Sequence, residues 1–478
     1  MKTTIKRLVL IALCMMMVFS LCCCKKTPSN DSVNSTVSNP VINIDDDTDV
    51  SSEGVSSDVT TSEDTDSTVN SDTDTDSTTS SNNSVIGSVT SSDPSDVASG
   101  NNSSGNTVIE NTGDDTPTTS TTTNTENGHT ITATYEWHPG LPDTNISYPI
   151  TILVDNAPVN ASQVTLSSST SGVSFSGTTV TIPYSVRAAG KTITVTAKHS
   201  SGAKCDIIIP CFKYTQTFND DFNGTTLDRT KWSEHSSLTT TPPADAASYQ
   251  VIDRAKSVKD CFEVKDGKLN MLIKDQPCYD TANKIKYLYS ECCLDTRGNF
   301  MQTYGLFQAN IACAKFGGIN TAFWLLPNGS YSTQYTNFKS EDPRWGLAEI
   351  DILEASVAFG NKDRKTFCIS EHYYNYKDNY DHINEGKYFK VKDTITNFHT
   401  YSCVWTADAL YYYVDSDLVR STTGLQAKSA GGKSVQRAYM IIDVALYLDN
   451  AWVGKRDFTK SDLPIAGTVD WVRAYKFK

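Results

Sequence analysis

The stretch Ala348-Glu349-Ile350-Asp351-Ile352-Leu353-Glu354-Ala355 decides the fold and the chemistry of this 478-residue chain. Because alternate residues of a strand point to opposite faces, Glu349 and Asp351 share one face, opposite the isoleucines. Strict alternation would place Glu354 among apolar side chains, where an unpaired carboxylate is costly to bury. One β-bulge at Ile352-Leu353 returns Glu354 to the acidic face. The sequence therefore predicts three carboxyl groups on one surface of a sheet.

Three carboxylates crowded on one strand point to acid–base chemistry. Like charges at such short range repel each other and push their pKa values apart, which a purely structural strand has no need of. A retaining glycoside hydrolase needs two carboxyl groups about 5–5.5 Å apart, one as nucleophile and one as acid and base. The competing interpretation is three surface acids on an edge strand.

The region around this stretch, residues 214–478, is predicted to be one large all-β domain. Runs such as Lys268–Ile273, Gly305–Ile311 and Leu410–Val414 are strand-like, and no segment keeps a 3.6-residue apolar period. We expect a β-sandwich or jelly roll.

Residues 128–213 predict a second, smaller all-β unit. Alternating runs such as Ile150–Val154 and Thr192–Thr196 are separated by Gly, Asn, Ser and Pro clusters. About seven such runs in about 85 residues are typical of an immunoglobulin-like sandwich. We expect a spacer rather than a binding module, and packing rather than sugar contact for Glu136-Trp137-His138.

Residues 25–127 are predicted to form a disordered linker. Within residues 27–127, 44 of 101 residues are Ser or Thr, none is aromatic, and 19 acids face no Lys or Arg. Such a segment buries too little apolar surface to offset its chain entropy. The net charge of −14 arises here, because residues 128–478 balance to zero. A basic nucleic-acid footprint is excluded.

Residues 1–24 are predicted to be a signal peptide ending in a lipobox. Lys2, Lys6 and Arg7 precede a 14-residue apolar run, which is too short to span a bilayer as a helix. Leu21 is followed by three cysteines, and Cys24 is the best-placed lipidation site, with Cys22 and Cys23 as alternatives. We expect an extracellular, monomeric protein on a bacterial cell surface, anchored in the membrane only through its lipid.

The acidic hexapeptide Glu349–Glu354 resembles the signature of glycoside hydrolase family 16, in the bulged form of laminarinases, agarases and carrageenases. The resemblance extends over the C-terminal domain through six further motifs: Asp221–Asp228 with Lys231-Trp232, Asp266–Leu269, Tyr304-Gly305 with Phe307, Ala322–Pro327, Phe398–Tyr401 with Trp405, and Val469–Arg473. It implies a concanavalin-like jelly roll.

The resemblance assigns roles residue by residue. Glu349 would be the nucleophile, Glu354 the acid and base, and Asp351 the assisting carboxylate. Trp324 and Trp345 would line the sugar cleft, since sugar faces pack on aromatic rings, although either is also compatible with a core position.

His372 would be a cleft histidine on the acceptor side, with a structural histidine as the alternative. No catalytic cofactor is implied. A structural Ca²⁺ would be held by the Asp470 side chain and the Gly267 carbonyl, oxygen ligands that suit this cation, unless Asp470 caps a turn.

Two departures from the family alter the expected cleft. The strand that usually reads Asn-Leu-Ala-Val-Gly-Gly reads Asp443-Val444-Ala445-Leu446-Tyr447-Leu448 here, and the frequent Arg and Glu near Tyr304 are Leu306 and Gln308. The domain also has seven cysteines, whose pairing the sequence does not fix.

The leading functional hypothesis is a retaining endo-β-glycanase that hydrolyses β-1,3- or mixed β-1,3/1,4-glucan. The alternatives within the family are a β-galactan hydrolase of agarase type and a transglycosylase. The alternative of another class is a non-catalytic glycan-binding surface protein, against which the intact acidic triplet argues.

Overall fold

The computed structural model describes residues 107–110, 118–327, 345–375, 381–423, 437–449 and 451–477. The predicted signal peptide, the lipidation candidate Cys24 and most of the predicted linker lie outside these residues. So does the side chain of Trp345. Among the described residues, no helix has the length and apolar character needed to cross a membrane.

The N-terminal module consists of three small sheets around one apolar core that includes Ile131, Val180 and Ile207. Within its described residues the module has eleven strands: β1 (Thr107–Glu110), β2 (Thr118–Glu126), β3 (His129–Trp137), β4 (Ile146–Pro149), β5 (Thr151–Val154), β6 (Ala157–Pro158), β7 (Val164–Ser167), β8 (Ser174–Ser176), β9 (Thr179–Ile182), β10 (Ile193–His199) and β11 (Lys204–Ile209). A 3₁₀ turn (Ala161–Gln163) and a one-turn helix, α1 (Tyr184–Arg187), connect them.

The module begins earlier in the chain than the sequence predicted. Strand β2 lies wholly within the segment 25–127 that was expected to be disordered, and it pairs along its full length with β3. Its Thr residues meet those of β3 in cross-strand hydroxyl contacts, for example 3.2 Å between Thr121 and Thr134. The expectation of disorder is therefore wrong for residues 118–126, because Thr-rich sequence is also good strand sequence once a partner strand is present.

The C-terminal domain consists of two large sheets. The parts of the domain that the structure describes contain seventeen strands: β12 (Tyr214–Asp220), β13 (Gln250–Ser257), β14 (Phe262–Lys265), β15 (Lys268–Ile273), β16 (Cys278–Asp280), β17 (Ile285–Asp295), β18 (Gly305–Ala312), β19 (Ile319–Pro327), β20 (Trp345–Ala355), β21 (Thr366–Asn375), β22 (Asp381–Asn384), β23 (Lys387–Lys390), β24 (His399–Trp405), β25 (Ala409–Val414), β26 (Asp417–Thr423), β27 (Ala438–Leu446) and β28 (Ile465–Phe477). The same parts also contain helix α2 (Phe359–Lys362) and two 3₁₀ turns (Ala246–Ser248, Lys460–Asp462).

The two sheets form the expected β-sandwich. An eight-stranded sheet runs β14-β15-β28-β18-β24-β25-β26 with β12 beside β28, and a nine-stranded sheet runs β13-β17-β27-β19-β20-β21-β22 with β16 and β23 at its margins. Fully buried side chains from both sheets, such as Phe307 and Phe323, meet in one core. The all-β jelly-roll prediction is confirmed, and β20 lies inside the nine-stranded sheet rather than at its edge.

The module and the domain pack against each other through a separate apolar cluster. Leu141 of the module lies with Val404 and Tyr411 of the eight-stranded sheet. Trp137 meets Tyr411 edge to face at a centroid distance of 5.7 Å. The Tyr413 hydroxyl accepts a hydrogen bond from the Gly140 backbone N–H at 3.2 Å. Trp137 therefore has the packing role that the sequence favoured.

Candidate active site

Strand β20, which carries the acidic triplet, contains the predicted bulge. Across β19, Phe323 pairs with Leu353 and Trp324 pairs with Asp351, so Ile352 has no partner of its own. Ile352 and Leu353 are both buried in the core. The register is thereby reset, and Glu349, Asp351 and Glu354 all line one cleft of about 340 Å³.

Asp351 occupies the middle of this cleft wall and is almost fully buried. His372, its neighbour on β21, lies with Nε2 at 2.9 Å from Asp351 Oδ2 and at 3.8 Å from Glu349 Oε1. Burial, followed by the negative charges of Glu349 and Glu354, raises the pKa of Asp351 well above its ordinary value, and the His372 contact only partly opposes this. Asp351 is therefore a carboxyl group that readily retains a proton.

The two glutamates are more accessible than Asp351. The side chain of Glu349 is 20% exposed and that of Asp351 is 4% exposed. Glu354 is half-buried, and one of its oxygens accepts a hydrogen bond from the Ser370 hydroxyl at 3.3 Å. Two accessible carboxyl groups flank a buried one, which is an arrangement suited to two carboxyls with distinct tasks.

The aromatic side of the cleft is formed by Trp324 on β19. Its indole N–H donates a hydrogen bond to Asp443 Oδ2 on β27 at 3.2 Å. Tyr439 and Ile441 extend the same wall. Trp324 is half-buried and lines the cleft, which fits the expected sugar platform.

Of the other two predicted substrate-binding residues, His372 and Trp345, the structure describes the side chain of His372 alone. His372 is 8% exposed, contacts Asp351 and is not among the cleft-lining side chains of the described residues. Direct sugar contact by His372 therefore stays a prediction, and its observed contacts are with the carboxyls. Trp345 begins β20, and its side chain lies outside the description.

The sequence did not identify Ser370 and Asp443 as members of the site. Ser370 lies two residues before His372 on β21, so strand alternation places both on the face of the acidic triplet. Asp443 was noted only as a departure from the family pattern. Glu291, Asp295, Arg254, Lys256 and Arg297 also line the cleft, and no motif in the sequence singles them out.

The expected calcium ligands do not fit a calcium ion. Lys268 donates a hydrogen bond from Nζ to Asp470 Oδ1 at 2.8 Å, so an ammonium group already compensates the charge of this carboxylate. A divalent cation beside the same carboxylate would meet a like charge. Gly267 has a φ of +70° after Asp266 at +54°, as the Asp-Gly turn of the β14–β15 hairpin requires. Both residues thus have roles that need no metal.

Glu349, Asp351 and His372 form the metal-compatible group found among the described residues, with ligand atoms all within 4.8 Å of one another. Their hydrogen-bonding contacts account for this proximity without an ion. All nine described cysteines are free thiols, and eight of them are buried, so no disulfide is assigned.

A β-sandwich that places two accessible carboxyl groups and one buried carboxyl group on a bulged strand in a cleft is suited to acid–base chemistry on a glycosidic bond. Residues 212–477, more than half of the chain, match the family described as "Beta-porphyranase A-D, GH16 domain". The chain belongs to this family, within glycoside hydrolase family 16.

Individual relatives are more distant. Glucan endo-1,3-beta-glucosidase A1 of Niallia circulans is 26% identical over 272 residues, which cover 54% of this chain and 37% of the relative. A beta-glucanase of Rhodothermus marinus is 28% identical over 196 residues, covering 40% and 63% of the two chains. The chain thus spans between about a third and two thirds of these relatives. The solved endo-beta-1,3-glucanase of Pyrococcus furiosus superimposes with a TM-score of 0.42 at 22% identity, over 55% of this chain and 95% of that chain.

Proposed function

We propose that the C-terminal domain is a retaining endo-β-glycanase that hydrolyses β-1,3- or mixed β-1,3/1,4-glucan. The observation that carries the proposal is the bulge in β20, which brings Glu349, Asp351 and Glu354 into one cleft that Trp324 of the neighbouring strand also lines. A glycan-binding module would gain nothing from three crowded carboxyl groups, because their mutual repulsion lowers stability without adding contacts to a neutral sugar.

In this proposal Glu349 attacks the anomeric carbon while Glu354 donates its proton to the departing glycosidic oxygen. The bond to the leaving sugar breaks as the bond to Glu349 forms, which yields a covalent glycosyl-enzyme. Glu354, now a carboxylate, then takes a proton from water. The resulting attack at the anomeric carbon releases Glu349 and restores the starting state.

The neighbouring groups support these roles. Asp351 retains a proton and lies beside Glu349, so it can donate a hydrogen bond that stabilises Glu349 as a carboxylate leaving group. His372 in turn fixes the Asp351 carboxyl. Ser370 orients Glu354 through its hydroxyl. Each catalytic carboxyl thus has a positioning partner on β21 or β20.

The choice of glucan draws on the relatives named as glucan endo-1,3-beta-glucosidase and beta-glucanase, and on the balanced charge of residues 128–478, which suits a neutral polymer. A β-galactan is the second candidate. The family description names porphyranases, and Asp443, Leu306 and Gln308 depart from the glucanase pattern near the cleft.

A substrate panel tests the proposal. Reducing-sugar release is measured on laminarin, lichenan, agarose, porphyran and xyloglucan, with and without a high concentration of acceptor oligosaccharide to separate hydrolysis from transfer. We expect release from laminarin or lichenan. Release from agarose or porphyran alone would replace glucan by galactan, and binding without cleavage of any polymer would overturn the enzymatic proposal.

Glu349→Ala tests the nucleophile assignment. Loss of a catalytic nucleophile costs on the order of 10⁴-fold or more in kcat while binding persists. The matched control is Glu263→Ala, the same change at an exposed residue of β14 in the other sheet, which should leave activity unchanged. Activity of Glu349→Ala near that of Glu263→Ala would remove Glu349 from the mechanism.

We also propose that the chain is a monomeric, lipid-anchored cell-surface protein, with the acidic segment before Thr118 as its tether. The support lies in the basic and apolar residues 1–21, the cysteines that follow and the charge of −19 in residues 27–127. Labelling with a radioactive fatty acid in a bacterial host should mark the wild type but not Cys24→Ala. If Cys24→Ala is still labelled and replacement of Cys22 or Cys23 abolishes the label instead, the anchor is reassigned to that cysteine. An unlabelled wild type would rule out a lipid anchor.

A further inference from the structure

Asp443 lies on the cleft floor, on a strand next to the one that carries Trp324. It is half-buried, lines the cleft, and is opposed by Ala322 of β19 on one side and Cys293 of β17 on the other. Its Oδ2 accepts the indole N–H of Trp324 at 3.2 Å. An indole has a single N–H donor, so this contact fixes the direction in which the ring can face.

The surroundings of Asp443 are acidic. Glu291 faces it from β17 and Glu349 from β20, while Cys292, Cys293 and Tyr447 are further titratable groups around it. Burial, then Glu291 and then Glu349 raise the pKa of Asp443 to about 7, and the Trp324 hydrogen bond lowers it only in part. The nearby cations Arg254 and Lys256 of β13 act on Glu291.

The charge state of Asp443 therefore changes the strength of its bond to Trp324. An ionised carboxylate is a purely accepting partner, and a hydrogen bond to it is roughly twice as strong as one between neutral groups. A protonated carboxyl can turn its O–H towards the indole and lose the acceptor. The orientation of the ring is fixed most firmly when Asp443 is ionised.

We propose that Asp443 is a positioning residue that holds the Trp324 ring in the plane on which a sugar of the substrate stacks, and so sets the affinity of the cleft. Asp443 acts through Trp324 and takes no part in bond breaking. The kinetic consequences rest on the proposed glycanase function, whereas the coupling between the two side chains does not.

The kinetic test compares Asp443→Ala, Asp443→Asn, Trp324→Phe and the double variant Asp443→Ala/Trp324→Phe on the best polysaccharide of the panel. We expect Asp443→Ala to raise KM about tenfold while kcat changes much less. Because Asp443 acts through Trp324, Asp443→Ala should add nothing in the Trp324→Phe background. Fully additive effects in the double variant, or a fall in kcat with unchanged KM, would overturn the proposal.

A second measurement needs no substrate. Tryptophan fluorescence of the full chain is titrated between about pH 5 and pH 9, across the range in which Asp443 changes charge beside the indole. We expect a transition near neutral pH in the wild type and in the control Asp417→Asn, an exposed carboxylate on the opposite sheet. Because Asp351 also pairs with Trp324 and has a raised pKa, the variants are compared in an Asp351→Asn background, in which the transition should be absent in Asp443→Asn and in Trp324→Phe. Its persistence in either variant would overturn the coupling even if the enzyme proves active, and its loss would support the coupling even if no polysaccharide is cleaved.

Discussion

Asp351 is the residue of the acidic triplet that burial affects most. Its two glutamate neighbours reach into the cleft, whereas its own side chain is 4% exposed and has His372 as a hydrogen-bond partner. A neutral carboxyl costs far less to bury than an ionised one. Within the triplet, one proton kept on Asp351 reduces the repulsion that three carboxylates would otherwise exert on each other.

The raised pKa of Asp351 predicts how stability responds to pH. A carboxyl whose pKa is higher in the folded than in the unfolded chain favours folding at low pH, and this contribution is lost as pH rises towards the folded pKa. Asp351→Asn keeps the neutral form at every pH. The melting temperature of Asp351→Asn relative to wild type should therefore rise between about pH 5 and pH 8. The rise should be roughly 2–4 °C for each kcal/mol by which the free energy of unfolding of the variant exceeds that of wild type.

The control for this prediction is Asp363, a carboxyl group whose pKa is lowered rather than raised in the folded protein. Burial raises the pKa of Asp363, but hydrogen bonds from the Lys365 backbone, Lys390 and Thr366 outweigh it and lower this pKa to about 2. Asp363 is ionised at both pH values, so Asp363→Asn should lower the melting temperature equally at each. A difference for Asp351→Asn that is constant or falls with pH would contradict a proton held on Asp351.

At the scale of strands, the sequence was most informative where a wrong register would have buried an unpaired charged side chain. The bulge at Ile352-Leu353 was predictable because any other register places Glu354 in the core, and both apolar residues are indeed buried. The rest of the acidic face followed from two-residue alternation. Local chemistry alone determines this part of the site.

The partners supplied by other strands were not predictable in the same way. Trp324 and Asp443 are 119 residues apart, and only the pairing of β19 with β27 brings them together. The Glu371–Arg420 ion pair, buried between the two sheets, likewise depends on β26 lying across from β21. A single sequence does not specify such long-range pairings, whose geometry arises from the packing of the sheets.

The order of strand β2 likewise depends on a partner strand that its own sequence does not reveal. Its composition continues that of the acidic linker, with no aromatic residue to mark a core. Only the partner strand β3 distinguishes it, because backbone hydrogen bonds and cross-strand Thr pairs give a polar segment enough to order it. The Thr-rich pattern indicated strand propensity, and the missing information was the presence of a neighbour.

At the scale of the whole molecule, the N-terminal module contacts the catalytic domain through the loop 139–144, whose conformation is fixed by hydrogen bonds from Arg187. Arg187, which is 1% exposed, donates hydrogen bonds to the carbonyls of Pro139 and Thr144 at 3.0 and 2.7 Å, and also to that of Leu141. The guanidinium group thus holds residues 139–144 in one conformation. This conformation presents Leu141 to the eight-stranded sheet, and the Tyr214 hydroxyl donates to the Gly140 carbonyl at 2.8 Å.

Leu141→Asp should separate the two units. Leu141 is 3% exposed, and burying a leucine stabilises by about 1.5–3 kcal/mol, whereas an unpaired carboxylate in the same place is strongly unfavourable. Calorimetry of wild type should show one cooperative transition, and Leu141→Asp should show two, the first at lower temperature. The control Leu448→Asp changes a leucine that is already 43% exposed and should keep the single transition. A single transition for Leu141→Asp at the temperature of Leu448→Asp would mean that the cluster around Leu141 does not join module and domain into one folding unit.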